Sequence, residues 1–119
     1  MAEVPSIVLQ TGSKIEYASA AESVAFEFAS VLGFSEDDAR GYAVSVRELA
    51  INGIRHGNNL NPERRLQVKF YEAGNKIRTC VEDEGEQRFD PENHFNTMAI
   101  PALRCVDART GRKITFTVG

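Results

Sequence analysis

The sequence predicts an α+β fold: a two-layer α/β sandwich with helices on one face of a mixed, mostly antiparallel sheet. Three observations carry this. Two amphipathic stretches, 19–32 and 35–56, follow one another in the first half of the chain. Two alternating stretches, 66–72 and 76–83, flank the turn Ala73-Gly74-Asn75 and read as a hairpin. Apolar runs at 6–10 and 113–118 supply further strands. Helices that each bury one stripe find their partner on one face of such a sheet.

The elements follow in order. Ile7-Val8-Leu9 gives the first strand, ended by Thr11-Gly12-Ser13. Ser19-Ala20-Ala21-Glu22 has the spacing of a capping box. Val24, Ala25, Phe28, Ala29 and Leu32 then recur at helical intervals up to Gly33. Ser35 opens a second helix, with Glu36, Asp37 and Asp38 at its positive end. Its apolar stripe is Ala39, Tyr42, Ala43, Val46, Leu49, Ala50 and Ile54, and it stops at Gly57-Asn58-Asn59. After a polar loop comes the hairpin, whose second face carries Gln67, Lys69 and Arg78 and is either solvated or used for association. Met98, Ile100, Leu103 and Val106 suggest a third, shorter helix ended by Gly111.

At 119 residues, 42% hydrophobic and 26% charged, the chain fits a single globular domain over 1–119. The net charge of −3 has both signs interspersed, which argues against nucleic acid and anionic lipid as partners. No apolar run approaches membrane-spanning length, and the first residues lack the pattern of a signal peptide. Cys80 and Cys105 lack metal-ligand spacing and read as reduced core thiols, so the expected compartment is the cytoplasm.

Two motifs carry chemistry. Glu48 and Asn52 stand four residues apart near the end of the second helix and share a face, with Arg55 three further on. A carboxylate there can deprotonate or orient a nucleophile. An amide oxygen suits magnesium, which keeps waters and phosphates as its other partners. A guanidinium can meet phosphate oxygens. The second motif is Glu82-Asp83-Glu84-Gly85 at the end of a strand. Asp83 can accept from an exocyclic amine such as that of adenine, and Gly85 lets a ligand approach the backbone. Each motif alone is also the ordinary chemistry of a solvated helix face or an acidic turn.

Together, and one hairpin apart, they resemble the histidine-kinase-like ATPases, the family that includes gyrase. The nearer resemblance is to bacterial anti-sigma factors that are serine/threonine kinases. It rests on Glu48, Asn52, His56 and Gly57, then on Asp83, Gly85, Phe89, Asp90 and Pro91. The resemblance implies ATP and magnesium as cofactors and Glu48 as catalytic base. It implies Asn52 as the magnesium ligand, Arg55 on phosphate, and Asp83 with Gly85 at the adenine. His56 reads as a structural residue near the helix end. The implied partners are a sigma factor or an anti-anti-sigma antagonist protein, with self-association through the sheet or first helix. Glu48, Asn52, Arg55 and Asp83 should then line one cavity. Family members also carry a Gly-x-Gly segment after Phe-Asp-Pro that receives the triphosphate; here 92–100 contains no glycine. The alternative is therefore a non-catalytic relative, a protein-binding module without nucleotide.

Overall fold

The computed structural model describes residues 4–85, 106–110 and 113–119. Five strands, β1 (Ile7–Thr11), β2 (Leu66–Ala73), β3 (Lys76–Glu82), β4 (Val106–Thr110) and β5 (Lys113–Val118), form one sheet in the order β1-β2-β3-β5-β4. Every pairing among the described residues is antiparallel, so the expected mixed character is absent there. Helices α1 (Ala18–Val31) and α2 (Glu36–Asn52) pack on one face. The α+β sandwich is as the sequence predicts.

Alternation decides which face the helices cover. Leu66, Val68 and Phe70 of β2 point inward, and so do Ile77, Thr79 and Val81 of β3 with Ile114 and Phe116 of β5. Ala21, Ala25 and Ala29 of α1, and Ala39, Ala43 and Ala50 of α2, are buried. Side chains this small allow a close approach between packed helices. Phe28 meets Phe70 edge-on at 5.9 Å between ring centroids, and Tyr42 meets Phe116 at 6.2 Å. One aromatic pair thus ties each helix to the sheet.

The helix ends differ in how their backbone groups are satisfied. Ser35 caps α2 as expected, its hydroxyl accepting from the Asp38 amide at 3.2 Å. The capping box at Ser19 is not used: a 3-10 turn, Ile15–Tyr17, leads directly into α1, which leaves Ser19 inside the helix. α1 ends with Gly33 at φ 91°, the Gly33 amide donating to Ser30 and the Phe34 amide to Ala29. That left-handed residue with its paired return bonds is why glycine stands there.

The expected third helix is corrected at its C-terminal end. Val106–Thr110 is an edge strand paired with β5, with an irregularity between Val106 and Ala108. Four apolar residues in a short run do not separate helix from strand. The open edge of β5 offered these residues ladder bonds that an isolated helical turn lacks. Residues 86–105, including Met98, Ile100 and Leu103, lie outside those described, as does Cys105. Cys80 is buried but points to the face away from the helices, between Lys69 and Thr115, so it is not in the helix-covered core. On that outer face Arg78 stacks over the Tyr71 ring at 4.5 Å.

The buried Tyr42 hydroxyl bonds that of Thr79 at 2.5 Å. Burial pushes the Tyr42 pKa far above its ordinary 10.0 and raises that of the Cys80 thiol above 9.0. A group whose pKa is raised by folding binds its proton more tightly in the native state. Its contribution is complete below the unfolded pKa and is lost as pH rises towards the folded value. Stability should therefore fall from about pH 9 and more steeply above about pH 10. Thermal melts across that range should show this, and Tyr42→Phe should remove the steeper part.

Candidate functional site

The site forms where the end of α2 meets the end of β3. α2 does not continue as an α-helix to its stop. Gly53–Gly57 is a π-helical turn, with the Asn58 amide donating back to the Gly53 carbonyl at 2.7 Å. Such single turns widen a helix and change the phase of the residues that follow. Two residues with positive φ, Asn59 at 53° and Leu60 at 58°, then turn the chain away.

Three glycines let this helix end close onto the strand end. A side-chain carbon on Gly53 would lie 2.7 Å from Leu66 and 3.9 Å from the Asp83 carboxylate. On Gly57 it would lie 2.1 Å from the Asp83 Oδ2. On Gly85 it would lie 1.6 Å from the Gly57 carbonyl oxygen. Asp83 is thus seated on bare helix backbone and is only 5% exposed. Its Oδ1 accepts from the Gly85 amide at 2.8 Å. A glycine at 85 is required by the chain's own packing, since it is Gly57 that approaches it.

Asn52, the residue before Gly53, is 4% exposed. Its Nδ2 is buried without a hydrogen-bond partner among the described residues. An amide placed for the fold is normally paired, because an unpaired buried polar group costs roughly 1–3 kcal/mol. That unpaired amide makes Asn52 a candidate to meet a ligand.

Glu48 lies one turn earlier, its side chain 28% exposed and its Oε1 4.0 Å from the Arg47 guanidinium. Arg55 and His56 are exposed, and His56 has an interaction partner. The α-helical spacing that would put Arg55 on the face of Glu48 and Asn52 is broken by the π turn between Asn52 and Arg55. The cavity beside Asp83, about 240 Å³, is lined by Gln10, Arg65, Gln67, Glu82, Asp83 and Glu84. The structure therefore brings together Gly53, Gly57, Asp83 and Gly85, with Asn52 adjoining in sequence.

One residue of consequence was read from sequence only as a helix stop. Asn58 is fully buried, and its side chain bonds Ser13, Arg65 and Glu84. The only signal available was a second amide directly after Gly57. Phe89, Asp90, Pro91 and the glycine-free segment 92–100 lie outside the described residues. No helix among the described residues is long and apolar enough to cross a membrane.

Comparison with known families matches residues 12–111 to the model of the histidine kinase-like ATPase domain. The match spans both motifs and the hairpin between them. A search of curated proteins finds no match.

Proposed function

This chain belongs to the histidine kinase-like ATPase domain family, and from that premise we propose that it is an anti-sigma regulatory factor of the serine/threonine protein kinase type. It acts in the cytoplasm, binds ATP with magnesium, and regulates a sigma factor through protein partners. The observation that supports this most is the seating of Asp83 against Gly53, Gly57 and Gly85, next to the unpaired amide of Asn52.

Asp83 recognises the base. A carboxylate is an acceptor, the kind of group that the amino group of adenine meets, and the Gly85 amide holds its Oδ1 in place. Asn52 would hold magnesium. Its amide can turn about its last torsion to present oxygen, and magnesium needs only one or two protein ligands when phosphates and waters complete its shell. Magnesium when bound neutralises charge on the phosphates. Glu48 takes the proton of a serine or threonine hydroxyl as that oxygen attacks the terminal phosphorus and ADP leaves. Arg55, exposed within the π turn, contacts phosphate from the solvent side.

Glu48→Ala should therefore stop phosphoryl transfer and spare nucleotide binding, because a base acts in the transition state. Transfer of the labelled terminal phosphate to the antagonist protein, compared with ADP affinity in the same variant, checks this. Equal losses in both would remove Glu48 from the role of base. Mixed with the sigma factors of its host one at a time, the wild type should retain one of them; retention of none would count against the regulatory reading.

The glycine-free segment 92–100 favours a second reading, a protein-binding relative that does not use nucleotide. Backbone amides at a glycine-rich helix start are what receive a triphosphate. A hydrogen bond to a charged group contributes roughly 1.5–3 kcal/mol, so losing two weakens ATP by at least about a hundredfold. A protein partner held by a chain that binds neither ADP nor ATP would establish this reading instead.

A further inference from the structure

We infer that Asn58 is a positioning residue that sets where Asp83 sits, and through it the affinity for adenine; this rests on the nucleotide reading of the Asp83 site. Asn58 is fully buried, and both N–H donors and the carbonyl oxygen of its amide are bonded. Its Nδ2 donates to the Ser13 hydroxyl and to the Arg65 carbonyl, both at 3.0 Å. Its Oδ1 accepts from the Glu84 amide at 2.7 Å. Ser13 in turn donates to the Arg64 carbonyl at 2.7 Å, and the Arg65 amide donates to the Glu84 carboxylate.

The bond to Glu84 has the functional consequence. The Glu84 amide belongs to the peptide unit that begins at Asp83. Asn58 thus grips the backbone on one side of Asp83, and Gly57, its neighbour in sequence, carries the carboxylate of the same residue. A single dipeptide at the helix end fixes both the main chain and the side chain of Asp83. The π turn contributes, because the Asn58 amide is the donor that closes it onto Gly53.

Only an amide satisfies this position. It needs two donors and one acceptor in one plane, at a site with no water contact. Aspartate offers no donors, leucine neither donors nor acceptor, and serine is too short to span from Ser13 to Glu84. The network is fully paired, the condition under which a buried polar group specifies one geometry.

The test compares Asn58→Ala with Tyr42→Phe. The second breaks a buried hydrogen bond of the core, Tyr42 to Thr79, that is not part of this network. Both should lose thermal stability. Only Asn58→Ala should also lose ADP affinity, by about tenfold or more, the equivalent of one hydrogen bond's worth of misplacement at Asp83. It should also move the amide resonances of Glu84 and Gly85. Equal ADP affinity in wild type and Asn58→Ala, with those resonances unmoved, overturns the inference. If Asn58→Ala does not fold, the wild type decides. The Glu84 amide, although on an exposed residue, should be protected from hydrogen exchange, and ADP should shift it together with the Asn58 side-chain amide. An unprotected Glu84 amide overturns the inference. A wild type that binds no ADP defeats the nucleotide reading alone; the Glu84 and Gly85 resonances in Asn58→Ala then still decide whether Asn58 positions the strand end.

Discussion

Gly85→Ala should be the most damaging single substitution at the site. Its new carbon would lie 1.6 Å from the Gly57 carbonyl oxygen and 2.3 Å from the carbonyl carbon. Both are backbone atoms and have no rotamer by which to withdraw. Relief requires the strand end to lift away from the helix end, at a cost of about 3 kcal/mol or more, the upper range for overpacking. Asp83 then leaves its seat and nucleotide affinity goes with it. Gly57→Ala makes an instructive contrast. Its carbon would meet the Asp83 Oδ2 at 2.1 Å, and a carboxylate can swing aside. That variant should keep most of its stability and still lose nucleotide. Urea unfolding and ADP titration on both variants separate the two outcomes; equal and small effects on stability would mean that the helix and strand ends are not in the contact described.

Asp83→Asn should abolish most of the remaining nucleotide affinity while changing the fold little. Asparagine keeps an oxygen for the Gly85 amide, which now bonds the Asp83 Oδ1 at 2.8 Å. It replaces the other oxygen with a donor and removes the charge. Loss of a charge-assisted bond is worth roughly 1.5–3 kcal/mol, or about 10- to 150-fold in affinity. A donor facing the adenine amino group adds repulsion to that loss. The check is ADP affinity beside thermal stability in the same preparation. Unchanged affinity would place the base elsewhere.

The fold was legible where one rule acted without competition. Alternation through 66–72 and 76–83 gave the hairpin, and Ser35 with three acidic residues gave the start of α2. It misled where two rules competed. Ser19 to Glu22 had the capping spacing, but the 3-10 turn at Ile15–Tyr17 had already begun the helix. Val106 belonged to an apolar set compatible with either period, and the free edge of β5 decided for a strand.

At the candidate site, Glu48, Asn52 and Asp83 could be singled out from sequence because their chemistry is local to a motif. Arg55 was assigned to their face by α-helical spacing, which a π turn alters and which no pattern in 53–57 announces. The use made of Gly57 and Gly85 is legible only in three dimensions. Each makes room for a group distant in sequence, the Asp83 carboxylate in one case and the Gly57 carbonyl in the other. Asn58 was hidden for a similar reason: its partners Ser13 and Glu84 lie 45 and 26 residues away.

In the proposed function, adenine is recognised at Asp83 although 92–100 lacks the glycines that would receive a triphosphate. Calorimetric titration of ADP and of ATP, each with magnesium, into the wild-type protein tests it most directly. Both should bind with nearly equal affinity, since the terminal phosphate gains little without backbone amides to receive it. Binding of neither nucleotide, or ATP binding far tighter than ADP, would contradict it.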